Sequence, residues 1–163
     1  MPFDAFVEIA GVPGEASDDE FKGQIEIESF AWGVSQPASA GYSGGSETCV
    51  CKISDFSFTH HMDKASPVLF QKCCAGEHIP KIVVNMRKAG GTQLVYNAYV
   101  FNDCIISSVR PGGSARAATD IPLEEVTISF AECSIDYQPQ GADGQADGGA
   151  VHGGWNIRQN TPA

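Results

Sequence analysis

Positive charge is what this sequence has least of: ten Lys and Arg stand against twenty Asp and Glu, for a formal net charge of −10. A chain so charged repels phosphate backbones and anionic lipid headgroups, so nucleic acid is not an expected partner. No stretch approaches the roughly 20 apolar residues that span a bilayer, which excludes direct membrane insertion. Charged residues of both signs reach only 18%, below the usual quarter or so. The first residues, Met1-Pro2-Phe3-Asp4-Ala5-Phe6, carry an acid and lack the basic and apolar regions of a signal peptide. No cleavable leader is expected, so any route to the outside must be one that reads none.

The motifs of small-molecule and metal chemistry are missing as well. The pairs Gly44-Gly45, Gly90-Gly91, Gly112-Gly113, Gly148-Gly149 and Gly153-Gly154 never build a dinucleotide fingerprint or a P-loop, and read as turns. Asp18-Asp19-Glu20 lacks the alternate-residue spacing of a calcium loop and reads as a solvated bend. Cys49 and Cys51 share a strand face and Cys73-Cys74 are adjacent on a helix, and neither spacing is that of a zinc knuckle. A metal would need convergence with His60 and His61 from afar, so cysteine as a small apolar side chain is the default. The six cysteines of a chain kept in reducing cytosol are expected free. Four histidines, His60, His61, His78 and His152, permit a Cys-His couple without specifying one, and a surface position is their ordinary fate. No catalytic residue, cofactor or metal is assigned.

What is present is strand pattern. At 163 residues the chain is sized for one domain, 1–163, with its core in 3–137. Gly is enriched, 18 in 163, which suits strands joined by tight turns. Phe3, Ala5, Val7 and Ile9 alternate with acids, the period of a strand. Gln24 to Gln36 begins with Ile25 and Ile27 on one face and then changes phase, so that Phe30, Trp32 and Val34 become the core series; a bulge near Glu28 or Ser29 would do this. Cys51 and Ile53 give way out of step to Phe56 and Phe58 in the same manner.

Ser66 can cap a helix of about nine residues, with Pro67 first and Gly76 beyond its end. Ile79 to Lys88 and Thr92 to Ser107 read as a hairpin about Gly90-Gly91, and Leu123 to Tyr137 as a final strand shifting phase near Ala131. The fold expected is all-β: a compact β-barrel of about seven to eight strands, one flanking short helix and a long projecting loop. That loop is Pro37 to Ser46, small and uncharged around Tyr42. The Gly-rich segment 138–163 ends in Trp155 and Ile157, and is expected to dock back on the body. With Phe30, Trp32 and Val34 inward, Ser29, Ala31 and Gly33 form an outward face with no charge and almost no bulk.

Six segments in order, FKGQIEIESFAWGVSQ (21–36), DFSFTHHMDKASPVLF (55–70), MRKAGGTQLVY (86–96), ISSVRPGGS (106–114), EEVTISFAECSIDYQPQ (124–140) and GWNIRQN (154–160), cover nearly the whole chain. In these the sequence resembles the haemolysin-coregulated proteins, tube subunits of the bacterial type VI secretion system. The resemblance implies a barrel with one helix, six of which form a ring. The rings stack into a hollow tube inside a sheath, with spike components as further partners, and carry small effector proteins in the lumen. It implies assembly in the cytoplasm and secretion without a cleaved leader. On this reading the ring-stacking loop holds Pro37, Ser39, Tyr42, Ser43, Gly44 and Gly45, and Ser29, Ala31 and Gly33 face lumen and cargo. The cysteines are not carried over. Two other classes stay open: a monomeric barrel binding a small ligand, and a thiol- or metal-dependent enzyme.

Overall fold

The structure is a computed structural model and describes residues 3–37, 50–89, 91, 93–116, 118 and 120–163. In chain order these form β1 (Phe3–Ile9), β2 (Ile25–Glu26), β3 (Ser29–Ala31), β4 (Val34–Ser35), β5 (Lys52–Ile53), β6 (Phe56–His61), α1 (Ala65–Ala75), β7 (Ile79–Lys88), β8 (Val95–Gly112), β9 (Leu123–Ser129), β10 (Glu132–Tyr137), β11 (Val151–Asn156) and β12 (Thr161–Pro162). The protein is mostly β with one short helix, as the alternating sequence implies.

Its organiser is β8, 18 residues long. One edge pairs antiparallel with β7; the other takes β10 along its first half and β9 along its second. From β7 the sheet continues through β1 to β2, and from β9 through β6 to β3. Backbone ladders do not close this ten-stranded path. Its two arms meet instead through the bent segment joining β2 to β3, where Ile27 N donates to Ala5 O at 3.0 Å and Glu28 N to Thr59 O at 2.7 Å. The phase change expected as a bulge near Glu28 is therefore a change of partner, from β1 to β6. The same cause operates at Ser54-Asp55, between β5, which pairs with β4, and β6. It operates again at Phe130-Ala131, where the final strand divides into β9 and β10.

The core lies between the arms. Phe56, Phe58, Phe101, Ile82, Ile106 and Ile128 are fully enclosed. Trp32 leans on it, with ring centroids 5.2 Å from Tyr99 and 5.2 Å from Phe101. A second, smaller cluster of Phe6, Ala16 and Phe21 covers the opposite face of β1. Arg87, only 3% exposed, lies beneath it with its guanidinium 5.3 Å from the Phe6 centroid and 5.4 Å from that of Phe21. Its charge is met by Asp18, with Asp4 at 3.5 Å and Glu20 at 3.8 Å. The acidic bend is thus a structural tie and not simply a solvated turn.

Four further expectations are corrected. Val34 is 68% exposed, because β4 leaves the main sheet and pairs only with β5. Ser66 is inside the helix, which has 11 residues and starts at Ala65; Asp63 Oδ1 accepts the Ala65 N–H at 2.9 Å, while Ser66 Oγ accepts the Asp63 N–H at 3.2 Å. Gly76 closes it at φ 59°, a left-handed cap suited to glycine. β8 starts later than Thr92, at Val95, and runs on past Ser107, so Gly112 is its last residue and pairs with Leu123. Gly153 and Gly154 likewise lie within β11, which pairs with β10. A Cβ on Gly154 would come within 2.6 Å of Ala163 O, so glycine is needed where the chain end crosses β11.

Candidate assembly surface

The alternation that sends Phe30 and Trp32 inward leaves Ser29, Ala31 and Gly33 exposed. Phe30 is held at 5.9 Å from Phe56 and 5.7 Å from Tyr99 between ring centroids, which fixes the face that β3 presents. β3 pairs with β6 in the register Ser29 to Thr59 and Ala31 to Ser57. The hydroxyls of Ser29 and Thr59 meet at 2.5 Å, and Ser57 Oγ donates to Ala31 O at 3.3 Å. Gly33 N donates to Ser54 Oγ at 2.8 Å, and Ser54 N returns a bond to Gly33 O at 2.9 Å.

The surface extends beyond the three residues named from sequence. Ser57 lies opposite Thr127 of β9, and Ser129 opposite Ile105 of β8. Ser107 Oγ donates to Thr127 O at 3.1 Å. Four strands therefore present short hydroxyl and methyl side chains on one face, with Glu125, the partner of Thr59, and Arg110 opposite it as a charged pair and Ile105 as an exposed apolar residue beside Ser129. The signal for the added residues was available in the alternation Phe56-Ser57-Phe58-Thr59 and Val126-Thr127-Ile128-Ser129. What the sequence withholds is that β6 and β9 are neighbours. Between these charges the wall offers short, wettable side chains and no reactive group aimed at a bound atom.

Of the stacking-loop residues, Pro37 is exposed at the end of the described segment. Ser39, Tyr42, Ser43, Gly44 and Gly45 lie outside the described residues, as does Cys49.

Each of the four histidines stands beside a carboxylate. His61 stands 3.4 Å from Glu28, His78 3.1 Å from Asp103, and His152 2.7 Å from Asp136. His60 is not a surface histidine: it is fully buried, with Nε2 2.9 Å from Glu124 Oε2. Among the described residues no group of three or more His, Cys, Asp or Glu is placed to hold a metal ion. The five described cysteines are unpaired; burial pushes the Cys104 thiol up to about 12. No described helix is long and apolar enough to cross a membrane.

The sequence and the fold agree with known proteins. The family described as type VI secretion system effector, Hcp, matches residues 6–137. The chain belongs to the Hcp family. Along its whole length and that of the relative it is 41% identical to protein hcp1 of Pseudomonas aeruginosa. The crystal structure of Hcp1 from Salmonella typhimurium superposes with a TM-score of 0.83 at 33% identity, with both chains fully covered. A structure of a type six secretion system protein superposes with a TM-score of 0.92 at 28% identity, covering 99% of this chain and 100% of that one. As an Hcp, the chain is a secreted type VI tube protein, and its outward faces are where function is to be sought.

Proposed function

We propose that this Hcp is the structural unit of the secretion tube: six copies close into a ring, rings stack into a hollow tube, and small effector proteins ride inside. The observation that carries the reading is the face of short, hydroxyl-rich side chains built by Ser29, Ala31 and Gly33 with Ser57, Thr59 and Thr127. A passage for unlike cargoes needs a wall without strong adhesive groups, and this face supplies one. Sheath and spike components are the further partners, and the ring assembles in the cytoplasm before export.

Symmetry supplies the construction. A head-to-tail contact whose rotation closes gives a ring, and a second heterologous contact between opposite ring faces gives an open filament. Six chains at −10 each sum to about −60 per ring. That charge opposes stacking over the roughly 8–10 Å that salt leaves unscreened. Rings are therefore stable alone and stack weakly until salt or a partner offsets the repulsion, with Tyr42 in the loop as the ring-to-ring contact. Deleting residues 39–44 should abolish secretion and leave the barrel's circular dichroism unchanged; a collapsed spectrum would make the loop structural instead. Light scattering against ionic strength tests the charge argument, and long tubes at low salt and low concentration would refute it.

A further inference from the structure

A groove of about 630 Å³ lies where β4 and β5 meet β10 and β11, walled by Trp32, Ile53, Ile135 and Trp155, with Cys51 and Cys133 both in its lining. The other described cysteines line no part of it. Cys73 and Cys74 sit side by side on α1, and Cys104 is fully enclosed in the core. Cys133 is the second residue of β10, between β8 and β11, and its Sγ donates to Trp155 O at 3.9 Å. Cys51 is half-buried and precedes β5, which pairs with β4 apart from the ten-stranded sheet. Burial pushes the Cys133 thiol up, and it is the shared groove lining that brings Cys51 to the same side of the sheet.

We propose that Cys51 and Cys133 are an oxidation site, joined by an intramolecular disulfide across this groove when the protein meets a small-molecule disulfide such as oxidised glutathione. Cys51, the more accessible thiol, loses its proton and attacks one sulfur of the oxidant, forming a mixed disulfide and releasing one glutathione thiolate. Cys133 then loses its proton and attacks Cys51 Sγ, forming the protein disulfide and releasing the second glutathione. Two protein thiols are oxidised, one disulfide is reduced to two thiols, and the two protons pass to the departing thiolates. The second step requires a buried thiol to ionise, so it accelerates as pH rises. The bond would fasten β5 to the main sheet, and it does not depend on ring assembly.

The test uses the full chain under native conditions with oxidised glutathione, followed by thiol titration in denaturant and non-reducing peptide mapping by mass spectrometry. The thiol count should fall by two and a Cys51–Cys133 peptide should appear. Cys51→Ser and Cys133→Ser should each abolish that peptide, and Cys74→Ser should leave it. If the buried Cys133→Ser chain fails to fold, Cys51→Ser at the half-buried position gives the same readout. A persistent glutathione adduct without the internal bond, a bridge that uses Cys49 or Cys74 in place of either partner, or an unchanged thiol count would overturn the proposal.

Discussion

The imidazole Nε2 of His60 lies 2.9 Å from Glu124 Oε2, and neither side chain reaches solvent, at 0% and 3% exposure. The contact lies outside hydrogen-bond geometry, and Asp63 Oδ1 stands 3.8 Å from the other ring nitrogen. Three parts of the chain therefore converge on one buried imidazole: β6, β9 and the turn before α1, where Asp63 Oδ1 also accepts the Ala65 N–H.

Removing one partner should cost more than removing both. Glu124→Ala takes away the carboxylate 2.9 Å from the enclosed imidazole and puts nothing polar in its place, a loss of about 1–3 kcal/mol. His60→Phe combined with Glu124→Leu keeps the volume without the polar atoms and should recover much of that loss. Urea unfolding of the parent, the single variant and the double variant measures the difference. Equal or greater destabilisation in the double variant would contradict the account.

The Arg87 guanidinium beside Asp18 holds that carboxyl below its ordinary value of 3.8, aided by the N–H groups of Glu20 and Phe21. A carboxylate with a depressed value contributes stability that is complete above the unfolded value and is lost as pH falls through the folded one. Thermal unfolding between pH 2 and 5 should therefore show an acid limb that Asp18→Asn flattens. An identical limb in the variant would place the acid sensitivity elsewhere.

At the chain end the sign reverses. Asp136 beside His152, with Ala163 O on the other ring nitrogen, raises the imidazole above its usual 6.5. Its contribution is complete below 6.5 and fades as pH rises through the folded value. Amide protection factors of β11 and β12, corrected for intrinsic exchange, should fall from pH 6 to pH 8, and Asp136→Asn should remove the dependence. Protection that is flat with pH in the parent protein would contradict it.

Much of this was open to sequence reading, and what was not has a physical cause. The alternation of Phe56, Phe58 and His60 with Ser57, Thr59 and His61 fixes which side chains share a face before any partner is known. A break in that alternation has two meanings, a bulge or a change of sheet, and only pairing distinguishes them. That is why the sequence suggests a bulge near Glu28 or Ser29, and why Val34, in phase with Phe30 and Trp32, reads as core. Arg87 with Asp18 and His60 with Glu124 lie 69 and 64 residues apart, and charges so distant leave no local pattern. Ser29, Ala31 and Gly33 were identified because an outward face is a local property. Ser57, Thr59 and Thr127 joined them only once β3, β6 and β9 were neighbours.

The wall itself yields a contrast between bulk and conformation. A Cβ on Gly33 meets nothing within 4 Å, and Gly33 is not among the positive-φ glycines, so Gly33→Ala should fold normally. Ala31→Arg, also at an exposed site, should shift stability by no more than about 0.5 kcal/mol. It should nevertheless retain less effector in pull-down from the assembled ring, because it places charge and length in the channel. Undiminished retention would remove Ala31 from the lumen.

The account's central claim is that this Hcp works as one unit of a ring. Sedimentation of the purified chain combined with negative-stain electron microscopy tests it most directly. The expected result is a six-subunit particle seen as annuli with an open centre; a single 17.3 kDa species at every concentration, with no annular images, would contradict it.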